Sequence, residues 1–252
     1  MSETFFNNPI THDKYDAVLF DLDGVLTATA KVHAACWKKN FDEYLQKRAA
    51  KEGTPFQPFE IATDYRLYVD GKLRYDGVRD FLRSRGIELP DGTPDDPAKT
   101  ETVCGLGNHK DEMFNEVIES EGVEAYEGSV TLVRHLRNQG IKTGVVSSSH
   151  HCETVLKTAN IADLFDVRVD GVVADQLHLP GKPAPDTYLT AAKRLGVNPK
   201  RAVVVEDAIS GVQAGRDGGF GLVIGVARQG EVEELKKNGA DLVVHDLGEL
   251  LS

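Results

Sequence analysis

Long apolar runs are missing from this chain of 252 residues. Its stretches of the kind seen at Val203 to Val205 fall far short of the ~20 residues a bilayer-crossing helix needs, so no membrane association is expected. Basic charge is in deficit: Lys and Arg number 29 against 40 Asp and Glu, a formal net charge of −11. Affinity for nucleic acid or anionic lipid requires clustered Lys and Arg, so neither is an expected partner. Cysteine is scarce, with Cys36, Cys104 and Cys152 scattered singly, which suits a reducing compartment better than a disulfide scaffold. The opening residues, MSETFFNNPITHDKYD, hold neither a basic n-region nor an apolar h-region. The expectation is a soluble, acidic, cytoplasmic protein.

The length suffices for a core domain with a smaller companion. Hydrophobic residues at 40% and charged residues at 27% are ordinary for a globular chain. Short β-branched runs occur at Ala17 to Phe20, Thr143 to Val146, Val167 to Val169, Ala202 to Val205, Leu222 to Val226 and Leu242 to Val244. Helix-length stretches separate the later ones: Cys152 to Asn160, Asp186 to Leu195, Ile209 to Gly218 and Glu231 to Asn238. Continuous apolar strands alternating with helices mark a parallel sheet covered on both faces. The segment 29–127 breaks the pattern, with a long helical stretch from Lys31 to Ala50, proline-rich punctuation, and a second amphipathic helix around Lys110 to Glu121. It reads as a helical insertion after the first strand. The expected organisation is an α/β core from 1–28 and 128–252, an inserted helical domain over 29–127, and a sheet that resumes near Val130.

Parallel sheets carry their chemistry at the carboxyl ends of the strands. The first strand ends in Phe20-Asp21-Leu22-Asp23-Gly24. Unpaired carboxylates are too costly to bury, so Asp21 and Asp23 are expected just past the strand end. A second acidic pair, Glu206-Asp207, follows Val203-Val204-Val205 at the same edge. Oxygen ligands gathered in this way suit Mg²⁺. Ser147-Ser148-Ser149 follows the second core strand and is expected to open the next helix, where hydroxyls and N–H groups receive anions. Lys182, in a loop stiffened by Pro183 and Pro185, offers a point charge for a phosphoryl group or for the aspartates. A nucleophilic carboxylate, a second carboxylate, a divalent cation, hydroxyls and a lysine together equip a site for phosphoryl transfer through an aspartyl-phosphate.

Asp21-Leu22-Asp23-Gly24-Val25-Leu26-Thr27, Ser147, Lys182-Pro183-Ala184-Pro185-Asp186 and Glu206-Asp207, in that order and spacing, resemble the haloacid dehalogenase-like phosphotransferase superfamily, and most of all its β-phosphoglucomutase branch. The resemblance implies a Rossmann-like core with an inserted α-helical cap. It further implies Asp21 as nucleophile and Asp23 as general acid/base. Mg²⁺ would be served by Asp21, the Asp23 carbonyl, Glu206 and Asp207, and the phosphoryl group by Ser147, Ser148 and Lys182. Thr29, His33 and Trp37 fall at i, i+4 and i+8 on one helix face, and the mutase branch has Thr, His and Trp at matching positions. Trp37 is expected to serve packing. Lys110 in Asn108-His109-Lys110 matches the branch's later cap lysine. The branch's Lys-Gly and Arg for the distal phosphate are replaced by Tyr75-Asp76-Gly77-Val78-Arg79, making Arg79 the nearest candidate, with Lys72 and Arg74 close behind. His151 stands where the branch usually has Asn. His150-His151-Cys152 is not expected to bind metal, since adjacent helical residues point apart.

The activity implied is Mg²⁺-dependent interconversion of hexose 1-phosphate and hexose 6-phosphate, with a hexose 1,6-bisphosphate intermediate and a cap that keeps water from the aspartyl-phosphate. The alternative is a sugar-phosphate phosphatase in which water takes the phosphoryl group. A monomer or small homo-oligomer would serve either.

Overall fold

The computed structural model describes residues 8–228 and 230–251. Its core is a six-stranded sheet in the order β3-β2-β1-β4-β5-β6, with every neighbouring pair parallel. The strands are β1 (Ala17–Phe20), β2 (Lys142–Val146), β3 (Val167–Val169), β4 (Ala202–Glu206), β5 (Leu222–Val226) and β6 (Leu242–Val244). Chain order runs outward from β1 to β3 and then from β4 to β6, so right-handed crossovers place the two sets of helices on opposite faces. This is the expected α/β, Rossmann-like core.

The unbroken burial of β1 and β4 explains their composition. A strand covered on both faces has no polar side, and fully burying each Val or Leu contributes about 1.5–3 kcal/mol. Helix α7 (Asp186–Leu195) sets Tyr188, Ala191, Ala192 and Leu195 in one apolar cluster with Leu19, Val146, Val169 and Val204. Helix α8 (Ile209–Asp217) and helix α9 (Val232–Lys237) pack Val212 and Leu235 with Val223.

The sheet does not resume near Val130. Helix α4 (Glu127–Asn138) occupies that stretch, and β2 begins only at Lys142. The buried set Ser129, Leu132, Val133 and Leu136 follows the i, i+3, i+4, i+7 spacing of a helix, which outweighs the β-branched residues in this stretch. The short helices α5 (Cys152–Thr158) and α6 (Gly171–Leu177) complete this part of the chain.

The chain divides into two compact units, Met1–Ala28 with Val123–Ser252, and Thr29–Gly122. The second boundary falls a few residues before the 127/128 position read from sequence, because Glu124 to Tyr126 pair with Leu26 to Ala28 in the core unit. The inserted unit is helical. It contains α1 (Thr29–Glu52), a π-helical segment (Ile61–Val69), α2 (Arg74–Ser84) and α3 (Val103–Glu121), of which the π segment and α2 have no counterpart in the sequence expectation. Trp37, Phe41, Phe59 and Phe81 form its buried centre, with the Phe41 and Phe81 rings 4.2 Å apart. Trp37 therefore packs, as expected. Among the described residues no helix is long and apolar enough to cross a membrane.

Candidate active site

Strands β1 and β4 are neighbours in register, Phe20 opposite Val205, at the point where the strand order reverses. Whatever follows these two strands must share one edge. The ladder continues one step further, with the Asp21 N–H donating to the Val205 carbonyl at 2.9 Å. Asp21 follows β1 directly, Glu206 is the last residue of β4, and Asp207 comes next. One carboxylate oxygen from each lies within 4.8 Å of the other two. Gly24, at φ +90°, lets the chain turn back at once, and its N–H donates to the Thr27 carbonyl at 2.8 Å.

Asp21 sits just past the strand end, as expected, yet it is only 6% exposed, and Glu206 is 0% exposed. Lys182 makes this tolerable. Its ammonium, itself buried, donates to Asp21 Oδ1 at 2.5 Å, to Glu206 Oε1 at 2.6 Å and to the Val146 carbonyl at 3.3 Å. All three ammonium protons are thereby used. Burial works against its charge, but the Asp21 and Glu206 carboxylates outweigh it and hold the Lys182 proton above the ordinary lysine range. Burial pushes the Asp21 carboxyl up; Lys182 opposes this, while Glu206 and Asp23 add to it.

Glu206 is held from several sides. Tyr188 on α7 donates its hydroxyl to Oε1 at 2.9 Å, and the Asp207 and Ala208 N–H groups donate to Oε2 at 3.1 Å each. Gly211 leaves the space, since a Cβ there would collide with the Glu206 carboxylate. Burial, then the Glu206 charge, raise the Tyr188 phenol well above its ordinary value, so it remains a donor. Nothing in the sequence pointed to Tyr188. Its i, i+3, i+4 relation to Ala191 and Ala192 reads as core, which its ring also is.

Ser147 is buried after β2, and its hydroxyl donates to Asp23 Oδ2 at 3.4 Å. The Ser149 N–H donates to Ser147 Oγ at 3.1 Å, and the His151 N–H to Ser149 Oγ at 3.1 Å. The serine run does not open the next helix. Helix α5 starts at Cys152, and the serines form the turn before it, using their hydroxyls on local N–H groups. Ser148 lies in that turn, half-buried.

The donor set fits a hard divalent cation. Asp21, Glu206 and Asp207 supply oxygen only, and with Asp23 nearby the Lys182 charge does not balance the carboxylates. Carboxylates gathered in this way favour a cation among them.

In the inserted unit, Thr29 opens α1 and is buried. His33, one turn later, stacks on Phe114 with 4.0 Å between ring centroids. The Lys110 ammonium, only 4% exposed, lies 2.5 Å from His33 Nδ1. An ammonium can only donate, so Nδ1 accepts. Lys110 also lies 5.3 Å from the Trp37 ring centroid and 4.6 Å from that of Phe114. The structure thus brings together His33, Trp37 and Lys110.

Arg79 donates to Asp91 at 2.7 Å and to Asp76 at 2.9 Å, and lines a cavity of about 380 Å³ with Arg83, Leu89 and Val103. Lys72 pairs with Asp80 at 2.7 Å. Arg74 pairs with Asp111 at 2.6 Å and reaches Asn108 at 3.4 Å, residues that flank Lys110 on α3.

The family described as "Hydrolase: haloacid dehalogenase-like hydrolase" matches residues 15–219. The chain is 50% identical over 242 residues to the beta-phosphoglucomutase of Mycobacterium bovis, covering 95% of this chain and 92% of the relative. It is 32% identical to the beta-phosphoglucomutase of Bacillus subtilis, covering 93% and 91%. Among solved structures, the beta-phosphoglucomutase of Clostridium difficile superposes with a TM-score of 0.71 at 27% identity, covering 94% of this chain and 93% of that one.

Proposed function

The chain belongs to the haloacid dehalogenase-like hydrolase family, and on that premise we propose that it moves a phosphoryl group between the 1- and 6-positions of a hexose, by way of phospho-Asp21 and a hexose bisphosphate. The observation that carries this reading is the buried Asp21–Lys182–Glu206 bridge, with Asp207 close enough to share a cation.

Mg²⁺ would be held by Asp21, Glu206 and Asp207, with the Asp23 main-chain carbonyl as the resemblance implies. Bound there, it supplies charge neutralisation at the transferring phosphoryl group. Asp21 attacks phosphorus through a carboxylate oxygen. Lys182, exchanging its long contact to the Val146 carbonyl, binds the phosphoryl oxygens together with Ser147 and Ser148 and offsets their charge. Asp23 gives its proton to the departing sugar oxygen and later takes one from the attacking hydroxyl. Thr29, His33 and Lys110 of the inserted unit belong to the substrate-binding set on this reading, with Arg79 as candidate for the distal phosphate and Lys72 and Arg74 as its alternatives. The free, buried cysteines suit a cytoplasmic enzyme, monomeric or a small homo-oligomer.

A phosphatase shares the first half-reaction and differs in letting water discharge the aspartyl-phosphate. What favours it is that Arg79, Lys72 and Arg74 all already serve carboxylates within the inserted unit. The deciding experiment incubates the protein and Mg²⁺ with β-glucose 1-phosphate, with and without glucose 1,6-bisphosphate. Glucose 6-phosphate is the expected product. Free phosphate in its place makes the enzyme a phosphatase, and neither product across a panel of sugar phosphates overturns both.

A further inference from the structure

The turn that follows Asp23 is held by a residue far away in sequence. Arg228, just past β5, donates from Nε to the Gly24 carbonyl at 3.1 Å and from Nη2 to the Val25 carbonyl at 3.3 Å. Nη2 also reaches Ser129 Oγ at 3.3 Å, and that hydroxyl donates to the same Val25 carbonyl at 2.6 Å. On the other edge, Nη1 donates to the His245 carbonyl at 3.3 Å and to Asp246 Oδ2 at 2.5 Å. The guanidinium plane lies over Tyr126, 3.7 Å from its ring centroid. A guanidinium has five N–H donors in a fixed plane, and every nitrogen is committed here.

This arrangement is more than surface ion pairing. The Arg228 side chain is 16% exposed, and its approach is set from below: the Ala227 N–H donates to the Val244 carbonyl at 2.8 Å, and His245 Nδ1 meets the Ala227 carbonyl at 3.0 Å. Asp246 is fixed in turn by the Gly248 N–H at 2.7 Å. The parts that Arg228 grips in the catalytic loop are the main-chain carbonyls of the two residues that follow Asp23. The planes on either side of Asp23 are held within the same turn, the Leu22 carbonyl accepting from the Leu26 and Thr27 N–H groups at 2.9 and 3.0 Å and the Gly24 N–H donating to the Thr27 carbonyl at 2.8 Å, so a turn braced at Gly24 and Val25 holds the backbone that carries Asp23.

We propose that Arg228 is a positioning residue for Asp23, bracing the Gly24–Val25 turn so that the Asp23 carboxyl points at the leaving oxygen. The inference rests on the reading of Asp23 as general acid. In the step concerned, a bond forms between an Asp21 carboxylate oxygen and phosphorus as the bond from phosphorus to the sugar oxygen breaks. The Asp23 proton passes to that oxygen. An acid displaced by about 1 Å loses much of its effect, of order 10²-fold.

The test compares two phosphoryl donors in single-turnover formation of phospho-Asp21 with Mg²⁺ present. β-Glucose 1-phosphate has an alkoxide leaving group that needs a proton. Acetyl phosphate releases acetate, which leaves unprotonated. R228K keeps the charge but offers donors from one point, and R228M removes both; S129A removes only the second clamp on Val25. R228K and R228M should slow phosphorylation by the sugar phosphate roughly 10- to 100-fold while changing the acetyl phosphate rate by less than about threefold. S129A should do the same more weakly. D23N is the benchmark and should show the same selectivity, larger. Should R228M fold poorly, R228K carries the comparison. Equal losses on both donors, or none on either, in R228K would overturn the role of Arg228 while leaving Asp23 as the acid. Absence of selectivity in D23N itself would overturn the acid assignment and the Arg228 proposal with it.

Discussion

The Lys182 ammonium lies 2.6 Å from Glu206 Oε1, and neither side chain reaches solvent. With Asp21 on its other side at 2.5 Å, the lysine is what allows two carboxylates to remain inside the fold. Removing one partner of a buried ion pair leaves the others uncompensated. Lys182→Met should therefore lower unfolding free energy by about 3–5 kcal/mol in denaturant titrations without added metal, and should abolish turnover. A variant as stable as the parent would show that the bridge is not needed to bury Asp21 and Glu206.

Tyr188 is the second support of Glu206, through a 2.9 Å hydrogen bond. Tyr188→Phe keeps the ring, which packs in the core, and removes only the donor. Bonds to charged acceptors contribute about 1.5–3 kcal/mol, and a loss of that size is expected in urea or guanidinium titration. No loss would mean that Lys182 and the two main-chain N–H groups already satisfy the carboxylate.

Lys110 separates a structural role from a functional one. Its ammonium is buried against His33, Trp37 and Phe114. Lys110→Met keeps an apolar stem against both rings but leaves His33 Nδ1 without its donor, a loss of about 1–3 kcal/mol in denaturant titration. In the folded variant, turnover of the sugar phosphate should fall at least tenfold, the size expected for a lost charged contact to substrate. Full activity in a stable variant would remove Lys110 from the substrate-binding set.

The folding contribution of Asp246 fixes a pH dependence. Burial works against its ionisation, but the Gly248 N–H and the Arg228 guanidinium outweigh it and hold the carboxyl below the ordinary aspartate range. A carboxyl lowered in the folded state stabilises above its unfolded value and loses that contribution as pH falls through the folded one. Asp246→Asn should therefore melt below the parent at neutral pH, and the two should converge as pH drops below about 4, the unfolded aspartate value. A gap that persists at lower pH would assign the effect to geometry rather than charge.

The core was legible because its signals are local. Leu22-Asp23-Gly24 after Ala17 to Phe20, and Glu206-Asp207 after Val203 to Val205, each announce a strand end and its acidic tip within a few residues. The parallel-sheet pattern then sets both tips at one edge, where Asp21 and Asp207 are found. Tyr188 and Arg228 were not legible. One looks like an ordinary core aromatic, and the other acts on Gly24 and Val25 across two hundred positions of sequence. How deeply Asp21 and Glu206 are buried is not legible, because their compensation by Lys182 is a tertiary fact. Helix α4 was missed because Val130, Leu132 and Val133 suggest a strand until the burial of Ser129 and Leu136 reveals a helical period. In the inserted unit Pro90 to Thr102 advertises a loop, but nothing local shows that Asn108 ties it down through the Pro94 and Asp96 carbonyls.

The central claim is that Asp21 carries the phosphoryl group. Brief reaction with a sugar bisphosphate and Mg²⁺, an acid quench, and peptide mapping by mass spectrometry address it directly. The expected result is one added phosphoryl group on the peptide containing Asp21, lost on mild alkaline treatment and absent from Asp21→Asn. A phosphoryl group found on another residue, or turnover retained by Asp21→Asn, would contradict the account.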